Sequence, residues 1–404
     1  MATPPRDIRE VPGRGAAAAC RGGQPSRATR HDGRVVTTGL VWHELYMWHD
    51  TGTGAWVMPA SLTVQPLGHI ESAEGKRRIH NLLQVSGLMD HLVQLKPRPA
   101  TEDEILRLHT QEYVERIKKM SSELGGEAGE ETPFGRGSYE IALLAAGGCI
   151  TAVDAVLDKK VDNAYALVRP PGHHAERDQG RGFCIFGNVT LAAMHAQVRG
   201  LSRLAIVDWD VHHGNGTEHA FYSDPTVLTI SIHQDNNYPP GSGAITDTGQ
   251  GAGRGYNINV PLPPGSGVGA YVATFERVVV PALKAFRPEL ILIASGLDAS
   301  AMDPLASMMM TSDGYRTLTG MVLAAARDVC GGMLVACHEG GYSPAYVPYC
   351  GLAVIEELAG MRTSIEDPLL GLLAAFGGQE IQPHQEVVVQ QAAKLAAGVL
   401  PAAH

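Results

Sequence analysis

Residues 208–215 read Asp-Trp-Asp-Val-His-His-Gly-Asn directly after the apolar run Leu204-Ala205-Ile206-Val207, so a buried strand delivers carboxylates and an imidazole to one place. Alternation along an extended chain puts Asp208, Asp210 and His212 on one side, and a mixed oxygen and nitrogen ligand set suits zinc or another borderline divalent metal. A second apolar run, Leu290-Ile291-Leu292-Ile293-Ala294, leads into Ser295-Gly296-Leu297-Asp298, which places another carboxylate at a strand end. Three protein ligands leave a coordination position open, as a catalytic rather than a structural metal requires.

Arg169-Pro170-Pro171-Gly172-His173-His174 sets two adjacent imidazoles on a turn that the prolines stiffen and the glycine opens to close approach. Taken alone, a His-His pair is more often a surface or hydrogen-bonded pair. Beside a metal, the two can divide amide hydrolysis, one accepting a proton from the attacking water and one donating to the leaving amine or stabilising charge. Each imidazole needs a partner that fixes its tautomer, and Asp208 and Asn215 are candidates. An aspartate partner keeps a ring protonated; an asparagine partner leaves it nearer neutrality. Glu339-Gly340-Gly341-Tyr342 reads as a turn that aims a phenol inward, able to donate to an oxyanion while staying neutral. Residues 180–184, Gly-Arg-Gly-Phe-Cys, read as a loop with a wall-forming aromatic, though a packed core Phe gives the same letters. The run Met308-Met309-Met310 reads as core. The Gly-rich stretches 241–243, 249–251 and 263–265 lack the lysine of a phosphate cradle, and no Gly-x-Ser-x-Gly element marks a serine nucleophile.

These residues need a frame. From residue 162 onward, candidate strands at 164–168, 203–207, 227–232, 256–260, 290–294 and 333–336 alternate with helical patterns at 189–197, 268–285, 313–329 and 345–358. Alternating βαβ units imply an α/β architecture with a mostly parallel central sheet flanked by helices on both faces, and ligands bind beyond the carboxyl ends of such strands. Residues 169–174, 208–212, 298 and 338–342 all follow strands, so four chemically loaded loops on one sheet edge make one site. The amino-terminal half carries helical patterns at 73–88, 101–111 and 113–122, then a Gly-rich segment at 125–137. A last amphipathic stretch, 386–399, is expected to pack on the body or on another subunit. No repeat or linker divides the chain, so residues 35–404 are expected to form one catalytic domain.

At 404 residues and 44% hydrophobic content, the chain can bury a substantial core and is expected to be a soluble globular protein. Six scattered cysteines lack disulfide or metal-finger spacing and fit a reducing, cytoplasmic setting. The net charge of -10 argues against nucleic acid and anionic lipid as partners and favours cationic or neutral substrates. No apolar stretch reads as long enough to cross a bilayer, so no membrane partner is expected. Residues 1–34, rich in Arg, Gly, Pro and Ala, read as a disordered leader; a transit peptide would avoid Asp7, Glu10 and Asp32.

In this order the motifs RPPGHH (169–174), GFC (182–184), DWDVHHGNGT (208–217), SGLDA (295–299) and EGGY (339–342) resemble the histone deacetylase superfamily over roughly residues 36–358, most closely its class II members and the bacterial histone-deacetylase-like amidohydrolases. The resemblance implies the arginase/deacetylase fold. It also implies that Asp210, His212 and Asp298 hold Zn²⁺, that Asp208 partners His173, and that Asn215 partners His174, the general base and acid. Asn215 is the class II choice where class I enzymes carry aspartate. Tyr342 would polarise the acetyl carbonyl opposite the zinc. The family further implies structural potassium, held at Asp208, Asp210, His212, Ser231 and Ile232 with an outer site at Phe221, Asp224, Val227 and Tyr256. An acyl-lysine tunnel would be lined by Gly182, Phe183, Pro239, Leu305 and Gly341. Tyr238-Pro239-Pro240 stands where other members have a second aromatic wall, and Glu130 and Glu131 lie near the expected acidic rim residue. His338 receives no role.

The expected activity is zinc-dependent removal of an acetyl or other acyl group from lysine side chains or a related primary amine. A small-molecule amidase, such as one acting on acetylated polyamines, would use the same chemistry and differ in its rim loops. A catalytically weak acyl-lysine binding module would not need the intact ligand set and Tyr342. An arginase-like dimanganese hydrolase would need further ligands bridging two metals, and Asn215 stands where an added carboxylate would serve it. Rim loops from a neighbouring subunit often shape such sites, so a homo-oligomer is expected.

Overall fold

Short runs of branched apolar residues build the centre of the protein, which in this computed structural model is described over residues 36–400. They form an eight-stranded sheet from β1 (Thr38–Val41), β2 (Val93–Leu95), β3 (Asn163–Ala166), β4 (Leu204–Asp208), β5 (Val227–Gln234), β6 (Asn257–Leu262), β7 (Leu290–Ser295) and β8 (Leu334–His338), in the spatial order β6-β5-β4-β7-β8-β3-β1-β2. Every pairing in it is parallel. The expected leader, residues 1–34, lies outside the described residues.

The strands are apolar without alternation because both faces are covered. Leu204 and Ile206 of β4 join Leu290 and Leu292 of β7 in one cluster, under the helices Ser138–Leu157 and Asn188–Val198. Their neighbours Ala205, Val207, Ile291 and Ile293 point the other way. They pack under Glu74–Val85, Ser312–Cys330, Val347–Ala359 and the helical stretch 268–286, which widens to a π turn at Phe275–Val279. The carboxy-terminal helix Pro383–Ala396 adds Val389, Ala392 and Ala396 to this second core.

Three expectations need correction. The first is that no apolar stretch could cross a bilayer: Ser138–Leu157 is long and apolar enough by length and composition, although 72% of its most apolar window is buried inside the protein. One side, with Cys149, Ala152 and Val156, meets the sheet; the other, with Tyr139, Ala142, Ala146 and Ile150, meets a third layer containing Ile105, Tyr113 and Phe186. A helix buried on two sides has no polar stripe, so it offers no amphipathic period to read. Gly147 lies against the backbone of Arg98–Ala100 where a Cβ would not fit.

The second correction concerns the amino-terminal half, which supplies β1 and β2 as well as helices; at four and three residues they are too short to show a period. In the third, the expected helix 101–111 divides. Thr101 and Glu104 form a capping box on the single turn Glu102–Ile105, and Thr110 caps a separate helix, Gln111–Ser122.

Candidate active site

β4, β7, β8 and β3 are consecutive neighbours in the sheet, so the loops after their carboxyl ends converge. Chain order reverses here, since β3 continues to β4 on the far side of β7 and β8, and such a switch point opens a crevice.

The loop after β4 is shaped by its own carboxylates. Asp208 Oδ1 accepts from the Asp210 N–H at 3.0 Å, and Asp210 Oδ1 accepts from the His212 N–H at 2.9 Å. Strand alternation therefore does not group these side chains as the extended reading had it. The strand stops at Asp208, and the turn beyond it sends Asp210 and His212 together while Asp208 goes to His173. Asp298, following β7, completes the group: its Oδ1 accepts from the Val211 N–H at 2.8 Å, and its Oδ2 lies 3.3 Å from His212 Nδ1. Asp210, His212 and Asp298 are buried and present ligand atoms within 4.8 Å of one another. Gly296 and Gly340 lie against these carboxylates where a Cβ would collide with them. Gly340 N–H also donates to Asp210 Oδ2 at 2.9 Å.

This donor set fits a divalent ion. Two buried carboxylates face one imidazole, and among the described residues Asp298 Oδ2 has no hydrogen-bond partner. Burial alone pulls the His212 imidazole down, yet its contact with Asp210 and the nearby Asp298 carboxylate outweigh that and raise it well above the ordinary histidine range. The proton it holds stands where a cation would, because the pocket favours positive charge.

The tandem imidazoles lie close, tilted by 41° with centroids 3.9 Å apart, but have different partners. His173 Nδ1 lies 2.9 Å from Asp208 Oδ2. Burial opposes its charge, but Asp210 and Asp208 prevail and lift the ring to about 10, so it is an imidazolium at neutral pH. His174 Nδ1 lies 2.7 Å from Asn215 Oδ1, a neutral acceptor. Burial, together with the charges of His173 and His212, pushes this ring well below the ordinary histidine range, so it is neutral. The two rings thus differ, but the partners expected to set them apart are not the main cause: Asp210 acts on His173 ahead of Asp208, and Asn215 raises His174 while burial and the neighbouring imidazoles lower it.

The loop after β8 brings Glu339 and Tyr342. Glu339 Oε2 accepts from the Gly172 and His173 N–H groups at 2.5 and 3.0 Å, tying this loop to the histidine turn. Tyr342 lies edge-on to Phe183, with centroids 5.6 Å apart, and its backbone N–H donates to Asp303 Oδ2 at 2.7 Å. Burial pushes the phenol well above its ordinary range and keeps it a donor. His338 is not among the residues lining the cavity above these groups, and its Nδ1 lies 2.8 Å from the Tyr165 hydroxyl.

A cavity of about 170 Å³ opens above these groups, lined by His174, His212 and Tyr342 below and by Val57, Glu131, Gly182, Phe183, Asn237, Tyr238 and Leu305 around. Tyr238 supplies the second aromatic wall, its ring edge-on to His174 at 5.0 Å between centroids. Pro239 and Gly341 are not among the lining residues; Tyr238 takes the place given to Pro239, and Gly341, at φ 129°, makes the turn that presents Tyr342. The Gly-rich segment 125–137 reaches the mouth by pairing Gly129–Glu130 with Gly180–Arg181. Glu131 then lines the cavity, while Glu130 is engaged by Arg181.

Ser231 and Ile232 lie on β5, with Ser231 paired to Asp208 across the ladder and its Oγ 2.9 Å from His233 Nδ1. A cavity of about 10 Å³ between Asp208, Ser231, Glu218 and Asn257 is the size of one small occupant. Phe221, Asp224, Val227 and Tyr256 gather at the opposite end of β5. There Asp224 N–H donates to the Phe221 carbonyl and Thr229 N–H to that of Tyr256, both at 2.9 Å.

Other parts of the site carry no signal in the motifs. Glu71 lies 98 residues before Arg169, yet it accepts from Arg169 Nε at 2.9 Å and from Lys76 Nζ at 3.0 Å. Arg169 also donates to the carbonyls of Tyr46 and His49, which clamps the start of the histidine turn. Asp303 holds both Tyr342 and the Leu305 N–H. Only the position of Asp303, five residues past Asp298, could have drawn attention.

Against known proteins, residues 69–358 match the histone deacetylase domain. The chain is 49% identical over 363 residues to the histone deacetylase-like amidohydrolase of Pseudomonas aeruginosa, covering 87% of this chain and 96% of the relative. It is 39% identical over 337 residues to a probable deacetylase of Archaeoglobus fulgidus, with 82% and 89% covered. The crystal structure of the HDA15 HD domain superposes with a TM-score of 0.78 at 31% identity, covering 90% of this chain and 96% of that one.

Proposed function

This chain belongs to the histone deacetylase family, an amidohydrolase with the arginase/deacetylase fold, and from that premise we propose that it is a zinc-dependent enzyme that removes an acetyl group from lysine side chains. The observation that carries this reading is the meeting of His174, His212 and Tyr342 at the base of one narrow cavity. Phe183, Tyr238 and Leu305 give that cavity apolar walls suited to a lysine stem, with the polar Glu131 and Asn237 also on its lining.

Asp210, His212 and Asp298 would hold the zinc, which when bound supplies Lewis-acid polarisation of the amide carbonyl and acidifies water. The rest is done by this chain's own groups. Tyr342 donates its O–H to the carbonyl oxygen as negative charge grows there. His174 carries its proton on Nδ1, toward Asn215, so Nε2 has the free lone pair and takes the proton of the attacking water. As the C–N bond breaks, the same nitrogen returns that proton to the leaving amine. His173, held as an imidazolium by Asp208 and Asp210, offsets the oxyanion but is too weak a base to accept the proton. Potassium at Asp208, Ser231 and Ile232 would stiffen the turn between β4 and the ligands.

The test compares an acetyl-lysine peptide with an acetylated polyamine, using zinc-loaded and chelator-stripped protein. Chelator-sensitive turnover of the peptide supports the proposal. Turnover of the polyamine alone would move the reading to small-molecule metabolism. Cleavage of neither would exclude acetylated amines as substrates.

A further inference from the structure

His174 can act as a base only if its proton sits on Nδ1, and an asparagine partner does not by itself guarantee this. A carboxylate accepts whichever way it is turned. An amide has an acceptor end and a donor end of nearly the same shape, and its neighbours decide which faces the ring. With Asn215 turned over, Nδ2–H would donate to His174 Nδ1, drive the proton to Nε2 and remove the base.

Two acceptors prevent the turn. Asn215 Nδ2 donates to Glu176 Oε1 at 2.5 Å and to the His174 carbonyl at 3.2 Å, which leaves Oδ1 at 2.7 Å from His174 Nδ1. Reversal would set Oδ1 against a carboxylate and a carbonyl at once. Glu176 is itself fixed from outside: His219 Nδ1 lies 2.9 and 2.8 Å from its two oxygens. The side chain of Glu176 is only 15% exposed, whereas that of His219 is 55% exposed. A hydrogen-bonded line thus runs from His174 through Asn215 and Glu176 to the surface, and Glu176 is not among the residues lining the cavity.

We propose that Glu176 is a positioning residue that sets the tautomer of His174 by orienting the Asn215 amide, with His219 as its outer hydrogen-bond partner. The inference rests on His174 being the base, as proposed above. It also explains why this chain works with asparagine: Glu176 supplies the direction that the amide lacks.

The test uses the intact zinc-loaded enzyme and measures kcat, KM, metal content and thermal stability. Loss of a tautomer-fixing partner elsewhere costs up to about 10⁴ in rate. Partial loss of orientation in Glu176→Ala should therefore lower kcat by about tenfold or more, with KM within about twofold and metal retained. The decisive comparison adds Asn215→Asp. That variant sets two carboxylates together, so Glu176→Gln in its background should raise kcat, whereas Glu176→Gln or Glu176→Ala alone lowers it. A residue that only supports the fold would lower kcat in both backgrounds. Wild-type kcat in the Glu176 variants, or a loss of the same sign with Asp at 215, would overturn the proposal. Should Glu176→Ala fail to fold, the Gln pair carries the test. A His174→Ala control separates the two readings. Retained turnover there removes the base assignment itself, while an inactive His174→Ala beside a fully active Glu176→Ala removes only the role of Glu176.

Discussion

Two buried charge clusters meet at Tyr342 and are built on opposite terms. Beneath the histidine turn, Glu71 sits between Arg169 and Lys76, and Lys76 Nζ lies 5.7 Å from the centre of the Tyr342 ring. Burial pushes the Glu71 carboxyl up, but the two cations outweigh it and hold the group well below the carboxylate range. On the floor of the candidate site, Asp208, Asp210, Asp298 and Glu339 have imidazoles as their cationic neighbours, and among the described residues Asp298 Oδ2 and Glu339 Oε1 have no hydrogen-bond partner. Burial and like charge push Asp298 and Glu339 up. The first cluster is closed and serves the fold. The second is left open at a cost in stability, which is what a site awaiting a cation and a substrate requires.

The widest separation between the clusters should come from the metal ligands. Asp298→Asn keeps an acceptor for the Val211 N–H but removes the buried charge. Turnover should fall by about a thousandfold or more, since a Lewis-acid contribution of several kcal/mol is tenfold per about 1.4 kcal/mol. Chelator-treated protein should melt no lower than the wild type treated in the same way. A drop of more than about 2 kcal/mol in urea unfolding would break the comparison, because it would make the floor as structural as the Glu71 cluster. Tyr342→Phe comes next. It keeps the ring contacts and should lose about 10²–10³ in kcat with metal content unchanged, the cost of one oxyanion donor. Wild-type kcat in that variant would remove the phenol from the chemistry.

Glu71→Gln should show the reverse pattern. It leaves Arg169 and Lys76 buried beside a neutral amide, and breaking a buried pair costs about 3–5 kcal/mol. Urea unfolding should register this, with a much smaller loss of turnover per folded molecule than either floor variant shows. The pH dependence has a definite sign. Because the folded value of Glu71 is depressed, its stabilisation is fully present above the ordinary glutamate range and is lost as pH falls toward the folded value. The acid limb of the wild-type stability curve should therefore be steeper than that of Glu71→Gln. Equal limbs would mean that the ion pair contributes nothing.

The open cluster was the legible one. Asp208, Asp210, His212, Asp298, His173, His174 and Tyr342 follow strands at short spacing, so strand ends and motif order alone bring them together. The closed cluster joins residues about a hundred positions apart, and no local pattern links Glu71 to Arg169. Fold followed the same division. The apolar runs of β3 to β8 were readable, whereas β1 has only two adjacent apolar residues, β2 is three residues long, and Ser138–Leu157 is too uniformly apolar to show a period. Glu176 escaped for another reason. It stands two residues after His174 in plain view, but its role depends on which end of the Asn215 amide it faces, a direction that letters do not carry.

Glu339 gives the smallest effect and the sharpest test of the contrast, because it is a buried carboxylate like Glu71 with the opposite displacement. Burial lifts it to about 8, the His173 charge only partly opposing this. A raised carboxyl takes up a proton on folding, so it lowers stability as pH rises through the window between its ordinary value and about 8. Glu339→Gln has no proton to take up and still offers an oxygen to the Gly172 and His173 N–H groups. At pH 5 the variant should match the wild type within about 1 kcal/mol. By pH 8 it should be the more stable of the two by about 1 kcal/mol or more, since each unit of displacement corresponds to about 1.4 kcal/mol. Urea midpoints at the two pH values measure this directly. If the variant instead loses ground as pH rises, Glu339 is an ionised and well-paired group in the manner of Glu71, and the division between an open floor and a closed anchor disappears.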